Sequence, residues 1–234
     1  GFTLLEMMIS IAVTLIMVAA FYQLLTSFFQ SYEIQDAIAE MQQQGRVTAD
    51  LLSREILQAG YDPKGALFPP TGGQKTEERW FLSATPGNCA EGIRDVEPIL
   101  EATPTLFHFL ADLNENSSVD DASDDEEHIR YEWVGSSGID LCGNSRKVFT
   151  VYRESGSGLQ KVAVNIEQLQ FKYYDGDGML IPGVGGVLDQ SQREKIAKVI
   201  LSLTARTDRQ DSTYLPNGGY RTREFTSEIW LKNM

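Results

Sequence analysis

The chain opens on a block with no charge. From Met7 to Tyr32 there is no Asp, Glu, Lys or Arg, and no proline occurs before Pro63. Such a run spans the hydrocarbon core of a bilayer, about 30 Å thick, which takes roughly 20 apolar residues in a helix. A helix is also the single-pass form that satisfies its own backbone in lipid. A secretory signal would carry a basic start, a shorter apolar core and a small-residue cleavage site, and residues 1–29 show none of these. One carboxylate, Glu6, stands just inside the start of the run. Two readings fit it. It lies at headgroup level, where the helix N-terminus favours negative charge, or it is buried against a cation such as the terminal ammonium of a neighbouring copy.

After Phe29 the pattern becomes amphipathic. Ile34, Ile38, Met41, Gly45, Thr48, Leu52 and Ile56 recur every three or four residues, with Gln35, Glu40, Gln43, Arg46 and Asp50 between them. No turn signal separates the two blocks, so one helix is expected from about residue 3 to about residue 58, some 80 Å long at 1.5 Å per residue. Its apolar part is 1–29 and its amphipathic part 30–60, with Gly60 and Pro63 marking the exit. Gly45 either marks a close approach or is a tolerated weak point, at about 1 kcal/mol against alanine.

The remainder, 61–234, reads as one β-rich globular domain. Residues 62–101 are rich in proline and glycine and predict a loop in which only 80–82 forms a short strand. From 104 onward alternation and β-branched or aromatic enrichment predict strands at 105–111, 128–134, 148–153, 159–164, 166–174, 195–207 and 223–232. Turns are marked by residues 154–158 and by Asp175-Gly176-Asp177-Gly178. The class is α+β, a long N-terminal helix packed on an antiparallel β-sheet.

Charge and cysteine content sharpen this picture. The formal net charge of −13 argues against nucleic-acid binding, which needs a basic stripe. Eight of the acidic residues fall in the loop 112–127, which has no basic residue. Asp112, Asn114, Asn116, Ser118 and Asp120 place oxygen atoms at alternate positions, as in a loop that wraps Ca²⁺, and Asp124 or Asp125 could complete the set. Ser117 stands where such loops carry glycine, and position 12 is Ser123 rather than a bidentate glutamate. The other reading is a solvated acidic connection. Cys89 and Cys142 form an even count and invite a disulfide if they face an oxidising compartment, closing a loop for roughly 4 kcal/mol. Two separate buried thiols are the alternative.

Enzymatic chemistry finds little support. Neither His108 nor His128 sits in a motif, Gly135-Ser136-Ser137-Gly138 is no nucleophile elbow, and no Lys-Ser/Thr follows Gly183-Val184-Gly185-Gly186. No catalytic residue and no organic cofactor are expected.

Gly1-Phe2-Thr3-Leu4-Leu5-Glu6 with the apolar run behind it resembles the class III signal of type IV pilins and type II secretion pseudopilins. The segment 45–61, closing on Ala59-Gly60-Tyr61, is similar to the helix end of PilW-type minor pilins, and the pseudopilin GspJ has a related one. Residues 166–175, 193–207 and Glu228-Ile229-Trp230-Leu231-Lys232-Asn233 extend the PilW resemblance, although Lys232 stands where arginine is commoner.

The resemblance implies a pilin fold, with 62–101 as its variable, partner-facing surface loop, and a structural role in a priming or tip complex that promotes pilus assembly and displays an adhesin. It implies cleavage by a prepilin peptidase between Gly1 and Phe2, methylation of Phe2, and a role for Glu6 in assembly. The implied partners are other minor pilins, the major pilin, a tip adhesin and, before assembly, the bacterial inner membrane. The globular domain would face the periplasm or the exterior. Leu15 and Gln23 stand where major pilins often carry glycine and proline, so partial melting of the helix on assembly is not expected. A GspJ-type pseudopilin and a membrane-anchored periplasmic binding protein or enzyme stay open as alternatives.

Overall fold

The computed structural model describes residues 3–63, 81–82, 92–93, 97–115, 127–140, 143–155 and 159–233. The chain divides into two compact units. One holds Gly1–Glu40 with Thr207–Arg221, the other Met41–Arg206 with Thr222–Met234.

Helix α1 runs without interruption over Leu4–Ile56, as the joined apolar and amphipathic blocks predict. Its last turn tightens before the expected end near residue 58: Gln58 N–H donates to Glu55 O and Ala59 N–H to Ile56 O. Gly60 then takes φ 72°, the left-handed conformation that glycine adopts without Cβ strain. Its N–H donates to Leu110 O at 2.9 Å, which fixes the exit against the sheet.

In the second unit five strands form an antiparallel meander: β3 (Ile99–Ala102), β4 (Leu106–Leu110), β5 (His128–Val134), β6 (Thr150–Glu154) and β7 (Gln160–Ala163). Three more, β8 (Ile166–Tyr174), β9 (Lys198–Arg206) and β10 (Thr222–Trp230), form an antiparallel sheet with β9 in the middle. A two-stranded pair joins β1 (Phe81–Leu82) to β2 (Gly92–Ile93). The strands are thus divided between sheets rather than gathered in one. The break falls where Asn165, with φ 58°, separates β7 from β8.

Residues 62–101 are not loop throughout. Ile99, Leu100 and Ala102 of β3 are buried, because β3 pairs with β4 and closes the edge of the meander. The turn expected at Asp175–Gly178 is present, with Gly178 N–H donating to Asp175 O at 3.1 Å, but the hairpin it makes is short. It returns the chain only as far as the single bridge Tyr174↔Leu180, and β8 takes its long partner, β9, from residue 198 onward. Pro182 follows this bridge and has no N–H to extend a ladder.

The core of this unit lies between the amphipathic end of α1 and the sheets. Met41, Ala49, Leu52 and Ile56 are buried. So are Val199, Leu201, Leu203 and Ala205, the alternate residues of β9. Phe107 is the hub of an aromatic cluster, with ring centroids 5.5 Å from Phe109, 5.9 Å from Phe171 and 5.7 Å from Tyr173. Trp133 Nε1–H donates to Ile166 O at 2.8 Å and Tyr173 O–H to Thr103 O at 2.7 Å, tying the two larger sheets together. At Gly45 the Phe225 ring of β10 lies so close that a Cβ would overlap its edge, with ring atoms Cδ2 and Cζ at 2.9 and 3.0 Å. Of the two readings of this glycine, the close approach is the one observed.

Candidate functional site

Glu6 occupies the first turn of α1. Thr3 and Glu6 cap the helix reciprocally: Glu6 N–H donates to Thr3 Oγ1 at 3.3 Å, and Thr3 N–H to Glu6 Oε2 at 3.5 Å. This is a capping box, and its signature, threonine followed three residues later by glutamate, is visible in the sequence. The carboxylate therefore has a local structural role besides any role in assembly.

Beyond it the apolar stretch is open to its surroundings. The most apolar part of the helix is long enough to cross a membrane, and none of it is buried within the protein. Leu4, Phe28 and Phe29 are each about two thirds exposed or more. Three hydroxyls along it bond back to the helix, Ser10 Oγ–H donating to Glu6 O and Thr14 Oγ1–H to Ser10 O, both at 2.8 Å, and Thr26 Oγ1–H to Gln23 O at 2.9 Å. A long helix with a self-satisfied backbone and exposed apolar sides suits lipid or a bundle of like helices.

The acidic loop joins β4 to β5. Its base is closed by Ala111 N–H donating to Glu127 O at 2.9 Å and by Asn114 N–H donating to Glu127 Oε1 at 3.1 Å. Asp112 and Glu127 are both buried there. Asp112 N–H donates to Tyr61 O, and Tyr61 O–H to Glu115 Oε1 at 3.1 Å. That hydrogen bond, followed by the charge of Glu115, raises the Tyr61 hydroxyl above its usual range. Of the expected calcium donors, Asp112 and Asn114 lie within the described residues, whereas Asn116, Ser118, Asp120, Asp124 and Asp125 lie outside them. So do Gly1, Phe2, Cys89 and Cys142. Among the described residues no group of three or more His, Cys, Asp or Glu side chains is arranged to hold a metal ion.

The sequence did not reveal a cluster of charges on one face of the meander. The Arg130 guanidinium reaches Glu132 at 2.9 Å, Glu154 at 3.2 Å and Glu101 at 3.8 Å. His108 Nδ1 lies 3.3 Å from Glu101, and the His128 ring lies 5.6 Å from that of His108. His108, Arg130 and Glu132 are buried. The signal was the alternation of His128, Arg130 and Glu132 along β5, which places them on one face but does not say that the face is covered.

In the first unit, Thr207–Arg221 folds over Ile34 and Ala37 of α1. Asp211 organises this loop. Its carboxylate accepts from Thr213 N–H at 2.9 Å, Thr213 Oγ1–H at 2.6 Å, and Arg221 Nε–H and Nη2–H at 2.9 and 2.7 Å. The bonds from Thr213 and Arg221 hold the Asp211 carboxyl below its usual range.

Residues 1–22 match the family described as the prokaryotic N-terminal methylation motif. No curated protein matches the chain. Among solved structures it is similar to a type IV-like pilin from Thermus thermophilus, at 13% identity and a TM-score of 0.37, covering 84% of this chain and 96% of that one.

Proposed function

We propose that this chain is a minor pilin of the PilW type, a structural subunit of a priming or tip complex that promotes pilus assembly and adhesin display. The observation that carries the reading is the methylation motif over residues 1–22 running into a single uninterrupted helix that ends at Ile56. The apolar half anchors the subunit in the inner membrane and later packs among the helices of other minor pilins and the major pilin. The globular part faces the periplasm or the exterior.

Glu6 pairs with the terminal ammonium of a neighbouring subunit. Its capping box supplies the control for this role, because glutamine keeps the cap and removes the charge. Glu6→Gln and Glu6→Ala are both expected to cut the amount of protein in sheared filaments by about tenfold or more, since a buried ion pair that loses one partner costs roughly 3–5 kcal/mol. Membrane levels should stay unchanged. Filament incorporation at the parental level in Glu6→Gln would show that Glu6 acts through the cap alone.

A prepilin peptidase cuts between Gly1 and Phe2 and methylates Phe2, and Cys89 is joined to Cys142. Intact-mass measurement of protein purified from membranes is expected to find a chain starting at Phe2 with one methyl group added. The same chain should be two hydrogens lighter before reduction than after it. An uncut, unmethylated chain would favour a membrane-anchored binding protein instead.

The acidic loop binds Ca²⁺ through Asp112, Asn114, Asn116, Ser118 and Asp120, with Asp124 or Asp125 completing the shell. The buried carboxylates of Asp112 and Glu127 at the base of the loop support this reading, because a divalent cation offsets crowded negative charge. Calorimetric titration is expected to give a Kd of about 0.1–1 mM, in the range of extracellular modules. Calcium at about 100 times Kd should add roughly 2.7 kcal/mol of stability. Absence of both heat and a melting shift would end the idea.

A further inference from the structure

The loop Thr207–Arg221 lies beside the point where α1 leaves its apolar stretch. The uncharged run Met7–Tyr32 has 26 residues, about 39 Å of helix at 1.5 Å per residue. That exceeds the hydrocarbon core of roughly 30 Å and approaches the 40–45 Å of core plus headgroups. Glu33, the first charge after it, therefore falls at headgroup level in a membrane-anchored chain. The base of the loop packs at that height: Arg209 reaches Glu33 at 3.6 Å, and Thr207, Gln210, Asp211 and Arg221 share a pocket with Glu33, Ile34 and Ala37.

The tip of the loop has the composition of an interfacial contact. Residues 212–220 carry no charge, in a chain of net charge −13. They include Tyr214, Tyr220 and Leu215, the last 88% exposed. Tyrosine is enriched where membrane meets water, with its ring among the headgroups. An uncharged tip also escapes the repulsion that an acidic surface meets at anionic lipid.

The tip is held in shape before it meets anything. Asp211 N–H donates to Gly219 O at 2.7 Å, Thr207 N–H to Arg221 O at 2.9 Å, and the Arg221 guanidinium lies 4.7 Å from the centre of the Tyr214 ring. The four bonds to the Asp211 carboxylate close the same loop. Ordering a flexible segment at a surface costs entropy, and here that cost is met within the fold.

We propose that this loop is a membrane-surface contact: residues 212–220 seat in the headgroup layer of the bilayer that α1 crosses, with Leu215 as the apolar anchor and Tyr214 and Tyr220 at headgroup level. The contact gives the anchored subunit a second point of attachment, which limits rotation and tilt about α1 before the helix is withdrawn into a filament. The proposal rests on the membrane-anchored state of the proposed pilin.

The test uses the full chain in vesicles of phosphatidylethanolamine and phosphatidylglycerol. A fluorescent amino acid is introduced genetically at one position at a time, leaving Cys89 and Cys142 untouched. The positions are 215, 15 within the apolar helix, and 184, where Val184 is 87% exposed and matches Leu215 in openness. Quenching is read with nitroxide lipids labelled either at the headgroup or deep in the chain. The label at 15 should be quenched best by the deep nitroxide. The label at 215 should be quenched best by the headgroup nitroxide, about threefold or more above the label at 184, as interfacial residues sit at headgroup depth. Quenching at 215 no greater than at 184, with 15 still deep, overturns the surface contact and leaves anchoring intact. A label at 15 that escapes quenching overturns the anchored state and the contact with it.

Discussion

Replacing Arg130 by methionine is expected to lower the stability of the β-rich unit by about 3–5 kcal/mol, the range for removing one partner from a buried ion pair. The Arg130 side chain is 6% exposed and is shared by Glu132, Glu154 and Glu101, whose side chains are 2%, 17% and 11% exposed. Methionine keeps most of the volume, so the cavity term is small and the loss reports charge. Three carboxylates would then face one another in a poorly solvated place with their shared cation gone. Lysine keeps the charge but not the fork that reaches three oxygens at once, and should recover only part of the loss. Melting of the detergent-solubilised full chain at neutral pH should fall by about 6–20 °C, given roughly 2–4 °C per kcal/mol at this size. A loss below about 1 kcal/mol, the value of a solvated surface pair, would mean that water reaches the cluster.

What the sequence made legible, and what it did not, follows from the range of each interaction. The run of α1 could be read because its signals are local: an uncharged block, then apolar residues at helical spacing. Met41, Gly45, Thr48, Leu52 and Ile56 are all buried as that spacing predicts. The strands 128–134 and 166–174 emerge with the expected bounds, since their alternation persists for several residues. By contrast, β3 has four residues behind Pro98 and a burial pattern without alternation, and only its pairing with β4 makes it a strand. The cause of Gly45 is Phe225, far along the chain. Alternation along β5 groups His128, Arg130 and Glu132 but cannot tell a solvated face from a covered one. Glu101 and Glu154 join them only through strand order.

The same distinction separates the two functional regions. The N-terminal motif is contiguous, so the methylation match follows from residues 1–22 and the Thr3–Glu6 cap from four residues within them. The loop Thr207–Arg221 carries no motif. Its place beside Glu33 depends on where β9 ends and β10 begins, and its shape depends on Asp211 meeting Arg221 and Thr213. A short polar connection of this composition reads in sequence as an ordinary turn.

Glu55→Ala is expected to cost about 2–3 kcal/mol and to loosen the end of α1 from the meander. Glu55 looks in sequence like one more polar residue on the outer side of an amphipathic helix. In the structure its Oε2 accepts from Tyr131 O–H at 2.6 Å and from Arg153 Nε–H at 2.9 Å, joining the last turn of α1 to β5 and β6. Tyr131 is fully buried. Burial first, and then the bond to Glu55, pushes its phenol well above the usual range, so the hydroxyl stays a donor at any ordinary pH. For Arg153, burial disfavours the charge, but the bond to Glu55 outweighs it and the net shift is upward. Removing the carboxylate takes the acceptor from a buried hydroxyl and the counter-charge from a half-buried guanidinium. A hydrogen bond involving a charged group is worth about 1.5–3 kcal/mol, and the total is discounted because Glu55 and Arg153 are each 20% exposed. Glu55→Gln keeps an acceptor for Tyr131 and should lose about half as much, since the charge-assisted part alone is gone. Combined with Arg153→Met, Glu55→Ala should show a coupling of about 1 kcal/mol or more, as expected for residues in one network. Hydrogen exchange at 53–60 should speed up in parallel, because the contact that seats those amides on the sheet is weakened. Additive losses with unchanged exchange would show that α1 is held by the packing of Leu52 and Ile56 alone.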